Sequence, residues 1–398
     1  MKKLSIRDMD LKGKRVLTRV DFNVPLDEQQ NITDDTRIKA TIPTIKHICE
    51  NGGKAILMSH LGRPKGKVIP EMSLSPVANR LKELLEKEVI FASDCVGGEA
   101  KDKSDGLEVC GVLLLENLRF HSEETKNDPD FAKKLSELGD VYVNDAFGTA
   151  HRAHASVEAV TKYFDRSGCG FLMEKELEYF SKALENPARP YVVILGGAKI
   201  SDKIGVMRNL LDKVDRLLIG GGMAFTFFKS QAMEVGDSIV EEDKIPIAKE
   251  IRREACKGEI QFLLPVDLTV ADRFDNEANR KVVDKSDINP GWRALDIGPI
   301  TIKIFCEAIK GAKTVVWNGP MGVFEFPNFA EGTVKIATSL ADETEKGAVT
   351  IIGGGDTVAA VRKAGVADKL SHISTGGGAS LELLEGKTLP GVAALSDT

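Results

Sequence analysis

No stretch of about eighteen consecutive apolar residues occurs, so no membrane-crossing segment is predicted. The opening MKKLSIRDMDLKGKR has lysines but no apolar core behind them, and a secretory signal is not expected there. A basic excess is missing too: 54 Lys+Arg face 60 Asp+Glu, a net charge of −6, which argues against a nucleic-acid partner. Six cysteines (Cys49, Cys95, Cys110, Cys169, Cys256 and Cys306) lie scattered without C-x-x-C or metal-ligand spacing. Free thiols in a reducing compartment fit that pattern, and a cytoplasmic protein is expected.

The common catalytic signatures are absent. There is no G-x-S-x-G, no H-E-x-x-H and no Walker pattern G-x-x-x-x-G-K-[ST]. The nearest approach to a Walker loop, GRPKGKV at 62–68, has the wrong spacing. At IIGGGDTV the dinucleotide pattern G-x-G-x-x-G fails, because Val358 occupies the place of its third glycine. No pair of acids stands out as general acid and base.

What is present is a chain of 398 residues, 42% hydrophobic and 29% charged, enough for two domains of ordinary size. Apolar runs such as RVLTRVDFNV, KAILMSH, GVLLLENL and DVYVNDAF, then YVVILGG, RLLIGGG, EIQFLLPVDL, KTVVWNG and VTIIGGG, read as strands. Several are continuous rather than alternating, as in strands buried on both faces. Helical patterns lie between them, for example TRIKATIPTIKHICENGG, SLSPVANRLKELLEKE with Ser75 and Pro76 at its start, and FAEGTVKIATSLADETEKG. The alternation predicts an α/β protein with two doubly wound parallel-sheet domains. A charged amphipathic stretch at 171–190, broken by NPARP, reads as a helix and hinge between them, or as a surface helix ending in a loop.

Five glycine-bearing turns follow strands in the second half: ILGGAKISDK, LIGGGMAF, WNGPMGVFEF, IIGGGDT and STGGGAS. Ligands of open parallel sheets bind beyond the carboxyl ends of strands, and N–H groups at helix starts attract anions. The second half therefore reads as a nucleotide domain. Lys199 and Lys203, four apart, would share a helix face and reach a polyphosphate, or form a solvated pair. Asp356 suits a magnesium ion held against phosphate oxygens, with an N-cap as the alternative. Glu325 among aromatics would meet a ribose hydroxyl or stand exposed.

The first half carries a different signature. Residues 1–170 are nearly neutral, 26 Lys+Arg against 27 Asp+Glu, yet Arg37, His60, Arg63, Arg119 and Arg152 fall at or after strand ends. Guanidinium forks match phosphate and carboxylate oxygens two at a time, so these residues predict a pocket for a small anion. Asp21 and Asn23 would add hydroxyl recognition. His151 and His154, with no third ligand, read as packing or hydrogen-bonding groups. Transfer to a hydroxyl needs a base, whereas a carboxylate acceptor is already ionised at neutral pH. The residues thus suit phosphoryl transfer to a carboxylate. The rivals are a nicotinamide-dependent dehydrogenase, which lacks its fingerprint here, and a non-catalytic anion-binding protein.

The motifs DFNVP, SHLGRP, LLENLRF, NDAFGTAHRAHAS, GGAKISDKI, WNGPMGVFE, IIGGGDT and STGGGASLE, in this order, resemble the phosphoglycerate kinase family over nearly the whole chain. The resemblance implies a glycolytic enzyme exchanging a phosphoryl group between 1,3-bisphosphoglycerate and ADP, giving 3-phosphoglycerate and ATP, by in-line transfer after domain closure. It implies a monomer using Mg2+, with a phosphoglycerate domain at 1–170, a hinge at 171–190, a nucleotide domain at 191–380 and a returning segment at 381–398. Asp21, Asn23, Arg37, His60, Arg63, Arg119 and Arg152 would bind the glycerate. Arg37, Lys199 and the N–H groups of Gly377 and Gly378 would act on the phosphoryl group in flight. Gly197, Lys203, Gly221, Asn318, Glu325, Gly354, Gly355, Asp356 and Thr357 would hold the nucleotide, with Asp356 on the metal.

Overall fold

A computed structural model describes residues 2–258 and 260–398. The residues fall into two units, the first running to Glu178 and including Thr388–Thr398, the second spanning Tyr179–Lys387.

In the first unit six strands, β1 (Arg15–Val20), β2 (Lys54–Met58), β3 (Ile90–Phe91), β4 (Val112–Leu114), β5 (Val141–Asp145) and β6 (Ser167–Cys169), form one sheet ordered β3-β4-β2-β1-β5-β6. Every pairing is parallel. The chain moves outward from β1 on one side and restarts with β5 on the other, so the crevice between β1 and β5 opens at the carboxyl ends. Val16, Leu17, Val20, Ile56, Leu57, Leu113 and Val143 are buried because helices cover both faces. Burying each such side chain stabilises by roughly 1.5–3 kcal/mol. Helix Thr36–Glu50 turns Ile38, Ile45 and Ile48 to that core despite Pro43 within it. The last residues close the far edge: Ser396 N donates to Ser167 O at 2.9 Å and Gly391 N to Ala150 O at 2.8 Å.

The second unit repeats the plan with β7 (Tyr191–Leu195), β8 (Arg216–Ile219), β9 (Gln261–Leu263), β13 (Thr314–Asn318), β14 (Val349–Gly353) and β15 (His372–Ile373), ordered β15-β14-β13-β7-β8-β9 and all parallel. Here the reversal falls between β7 and β13. A separate three-stranded antiparallel sheet, β11-β10-β12, is built from β10 (Asp267–Ala271), β11 (Arg280–Asp284) and β12 (Arg293–Ile297).

That small sheet was not anticipated from the sequence. EIQFLLPVDL, read as one strand, is two, β9 and β10, because Pro265 has no N–H for a ladder. Strand β11 is exposed along most of its length and carries little hydrophobic signal. The stretch 171–190 contains helix Phe171–Leu184, and the division between units falls inside it. The return to the first unit begins at Thr388 rather than at Leu381, since helix Gly378–Leu384 packs on helix Ile204–Leu210.

Candidate functional site

Each unit presents a site at the carboxyl ends of its parallel strands. In the first, β1 leads into Asp21 and Asn23, β2 into His60 and Arg63, the β4 exit into Arg119, and β5 into Arg152. Arg37, the second residue of helix Thr36–Glu50, donates from Nη1 to Asp21 Oδ2 at 2.7 Å. Asn23 Oδ1 accepts from Gly62 N at 2.9 Å, while Arg119 Nη1 donates to Gly62 O at 2.8 Å. The backbone of one glycine residue thus ties two of the anticipated residues together. Arg63, Arg119 and Arg152 line a single cavity of about 550 Å3 with Lys65, His121, Lys126 and His154, and no acidic side chain is among the residues lining it.

Beneath this pocket lies a buried network the sequence did not announce. Arg19 is fully buried and donates from Nε to Ser156 Oγ at 2.9 Å. Ser156 in turn donates from Oγ to Glu124 Oε1 at 2.6 Å and from its backbone N to Glu124 Oε2 at 2.9 Å. The charge of Arg19 is therefore answered by a buried carboxylate through one hydroxyl, as a buried charge requires. Arg19 Nη2 also lies 3.1 Å from His60 Nδ1. A guanidinium only donates, so Nδ1 accepts and the ring proton sits on Nε2.

The accumulated positive charge shows in the titration of the pocket. Burial, then Arg19, Arg119 and Arg37, hold the His60 pKa well below its ordinary value. Burial and then Arg119, Arg19 and Arg152 take His154 down to about 3. Its Nδ1 stands 3.8 Å from Glu124 Oε1, too far for a hydrogen bond. Burial, Arg19 and Arg152 lower even the Arg119 guanidinium, to about 10. Such a site gains by accepting an anion, which relieves the mutual repulsion of its cations.

In the second unit Gly197, Gly221, Glu325 and Asp356 line a cavity of about 510 Å3. Its walls include Phe225, Ile239, Leu268, Leu295, Met321 and Val323, an apolar slot with polar ends. Leu268 and Leu295 come from the unanticipated antiparallel sheet, so this wall had no legible signal beyond the hydrophobic run that contains Leu268. Lys199, Lys203, Asn318, Gly354, Gly355, Thr357, Gly377 and Gly378 are not among the residues lining this cavity.

The glycines divide into two sorts. Gly319 has φ +99, and a Cβ there would lie 2.1 Å from Gly196 O, so these two turns pack backbone on backbone. A Cβ on Gly197, Gly355 or Gly377 would meet nothing within 4 Å. The open glycines leave space beside the backbone, although Gly197 N itself donates to Pro320 O at 3.0 Å; the packed ones hold the strand ends together. Of the five turns, those at Gly220–Gly222, Gly353–Gly355 and Gly376–Gly378 run straight into helices. WNGPMG does not, and ILGGAKISDK reaches a helix only at Ile204.

One expectation needs correction, and one alternative falls away. Lys199 and Lys203 do not share a helix face: a turn closed by Lys203 N to Ile200 O at 2.9 Å precedes helix Ile204–Leu210. Lys199 is exposed, while Lys203 is buried with Nζ 2.5 Å from Asn318 Oδ1. Burial lowers the Lys203 pKa, opposed by Asp202, Asp356 and Glu385. Asp356 is not an N-cap, because Gly354, at φ +88, caps helix Gly355–Lys363 and places Asp356 exposed in its first turn. Glu325 is exposed as well, and Thr357 Oγ1 accepts from Gly319 N at 2.7 Å.

Comparison with known proteins agrees in sequence and in fold. The family model for phosphoglycerate kinase matches residues 6–387. A phosphoglycerate kinase of Gloeothece citriformis (strain PCC 7424) is 59% identical over 388 residues, covering 98% of this chain and 97% of that one. A cytosolic phosphoglycerate kinase of Triticum aestivum is 59% identical over 393 residues, covering 99% and 98%. The solved structure of phosphoglycerate kinase from Coxiella burnetii superposes with a TM-score of 0.90 at 40% identity, covering 98% of each chain.

Proposed function

Because the chain belongs to the phosphoglycerate kinase family, and so exchanges a phosphoryl group reversibly between 1,3-bisphosphoglycerate and ADP in glycolysis, we propose which of its residues perform each part of that reaction. The observation that carries the assignment is the cation-lined cavity of the first unit, walled by Arg63, Lys65, Arg119, Lys126 and Arg152 without an acid. A doubly charged phosphate monoester with a carboxylate is the ligand such a pocket discriminates for. Arg63, Arg119 and Arg152 hold its phosphate, while Asp21, Asn23 and His60 orient the hydroxyl and carboxyl ends. His60 does so as a neutral Nε2–H donor.

The second unit takes the nucleotide. Its apolar slot accepts a flat base, Glu325 at the rim meets the sugar, and Lys203, Asn318 and the N–H groups of Gly354 and Gly355 face the phosphates. Asp356 offers an exposed carboxylate at a helix start on the same cavity, a donor that suits Mg2+, which takes few protein oxygens beside phosphate and water. Mg2+ bound there with nucleotide would neutralise phosphate charge. Arg37, Lys199 and the N–H groups of Gly377 and Gly378 stabilise the group being transferred.

No general base is required, since the acceptor carboxylate is already ionised. The rate enhancement rests on positioning, which can supply roughly 7–11 kcal/mol. In-line transfer after domain closure belongs to the proposal, and scattering profiles with and without both reactants test it. A monomer in the cytosol completes it; sedimentation and fractionation test those two points.

The deciding assay is MgATP-dependent phosphorylation of 3-phosphoglycerate, with glycerate and 2-phosphoglycerate as controls. Turnover confined to 3-phosphoglycerate, and lost in folded Arg37→Ala and Lys199→Ala proteins, supports the assignment. Full activity in either variant overturns it for that residue.

A further inference from the structure

At the amino ends of β2 and β4, opposite the strand ends from which the first unit's site residues extend, two cysteines meet. Cys49 is the penultimate residue of helix Thr36–Glu50, and Cys110 lies in the turn that leads into β4. Each thiol is directed at the other's backbone: Cys49 Sγ lies 3.2 Å from Cys110 O, and Cys110 Sγ lies 3.1 Å from Cys49 O. The backbones are pinned through a single residue, for Gly53 N donates to Ile48 O and Cys110 N donates to Gly53 O, both at 2.8 Å. Cys110 is itself held at φ +67, a left-handed conformation unusual for cysteine. Both residues are only partly buried, and the adjoining Val109 is 57% exposed. Lys87 Nζ donates to Cys110 O, placing a cation beside the pair.

We infer that Cys49 and Cys110 form a dithiol site that low-molecular-weight disulfides convert to an intramolecular disulfide. One cysteine thiolate attacks a sulfur of the small disulfide, giving a mixed disulfide and releasing one small thiolate. The second cysteine then attacks the protein-bound sulfur, forming the Cys49–Cys110 bond and releasing the second small thiol. Two protein thiols are oxidised, one disulfide is reduced to two thiols, and the protons pass from the cysteines to the leaving thiolates. Burial and the neighbouring Cys110 push the Cys49 thiol up to about 11 against the pull of Lys87, so at neutral pH Cys49 is held mostly as the thiol. Among the other cysteines, Cys95 and Cys169 are buried and Cys256 is exposed.

The link would close a span of 61 residues joining the end of the first helix to the start of β4, and so constrain the unfolded chain. Full-length reduced protein is treated with excess glutathione disulfide, and its peptides are mapped without reduction. The expected result is a linked Cys49–Cys110 peptide, a melting temperature several degrees higher, retained turnover, and reversal by dithiothreitol. Phenylarsine oxide, which bridges neighbouring thiols, is expected to bind the reduced protein and not the Cys49→Ser or Cys110→Ser variants. Mixed disulfides alone, or arsenical binding that survives both substitutions, would overturn the inference. The mapping uses unsubstituted protein, so it stands even where a variant folds poorly.

Discussion

Lys203 Nζ and Asn318 Oδ1 lie 2.5 Å apart in the second unit, and the Nδ2 of the same amide is buried without a partner among the described residues. The amide is thereby oriented, oxygen toward the lysine and donor toward the turn at Gly353 and Gly354, where Cβ atoms would approach the Asn318 side chain at 3.1 and 3.3 Å. A donor left free in a buried place gains most when an acceptor arrives. Asn318→Ala is therefore expected to raise KM for ATP by roughly 10–100-fold, since hydrogen bonds to charged groups are worth about 1.5–3 kcal/mol. KM for 3-phosphoglycerate should stay near the wild-type value. Steady-state kinetics against each substrate in turn would check this, and an equal rise in both constants would refute the assignment.

The ion pair of Arg37 and Asp21 predicts an ordered pair of effects. Asp21 is nearly buried and its Oδ2 holds Arg37 Nη1, whereas Arg37 itself is partly exposed. Asp21→Asn keeps the shape but loses the charge that aims the guanidinium. It should raise KM for 3-phosphoglycerate roughly tenfold, the scale of one charge-assisted hydrogen bond. Arg37→Ala should cut kcat as well. If Asp21→Asn lowers kcat as much as Arg37→Ala, the carboxylate has a role beyond orienting the arginine.

Two glycine substitutions separate architecture from binding. At Gly319 a methyl group would collide with Gly196 O and must adopt φ +99, so Gly319→Ala is expected to lower the unfolding free energy by roughly 2–4 kcal/mol. At Gly355 the space around a Cβ is open, and Gly355→Ala should leave the denaturation midpoint unchanged while raising KM for ATP. Chemical denaturation together with kinetics would show whether the effects divide this way.

A pH effect is expected at Asp145. Its Oδ1 accepts from Leu172 N at 2.9 Å and Met173 N at 3.2 Å, while Oδ2 is buried without a partner among the described residues. Burial raises this carboxyl to about 7, outweighing the backbone hydrogen bonds from Met173 and Leu172. A folded-state pKa above the unfolded one means that the folded state binds more protons between about pH 4 and 7. The stabilisation is fully present below the unfolded value and is lost as pH rises through 7. Wild-type stability relative to Asp145→Asn should therefore fall between pH 5 and pH 8. Urea unfolding at the two values would test the sign, and a gap that widens with pH would contradict it.

His60 and His154 act in the opposite sense. Their folded pKa values are depressed, so the unfolded state binds more protons as pH falls below about 6.5, and stability is lost in that direction. Replacing His154 with Gln should flatten the acid limb of the stability profile between about pH 6.5 and 3 without moving the alkaline limb. Thermal melts across that range would show it; an unchanged acid limb would mean that His154 is protonated in the folded state.

The amino-acid order alone determined the two parallel sheets and which residues follow their carboxyl ends. Continuous runs such as Tyr191–Leu195 betray strands covered on both faces, and glycines or arginines directly after them mark the carboxyl ends. These signals are local, carried by neighbours in the chain. The tertiary structure decided the rest. Arg19, Glu124, Ser156 and His60 form one network only because β1, β2 and the segments after β4 and β5 converge; Arg19 and Ser156 are 137 positions apart. The sorting of glycines into packed and open ones, the separation of Lys199 from Lys203, and the wall supplied by the antiparallel sheet have the same origin. Each depends on what a distant backbone places opposite a residue, and no periodicity along the chain encodes that distance.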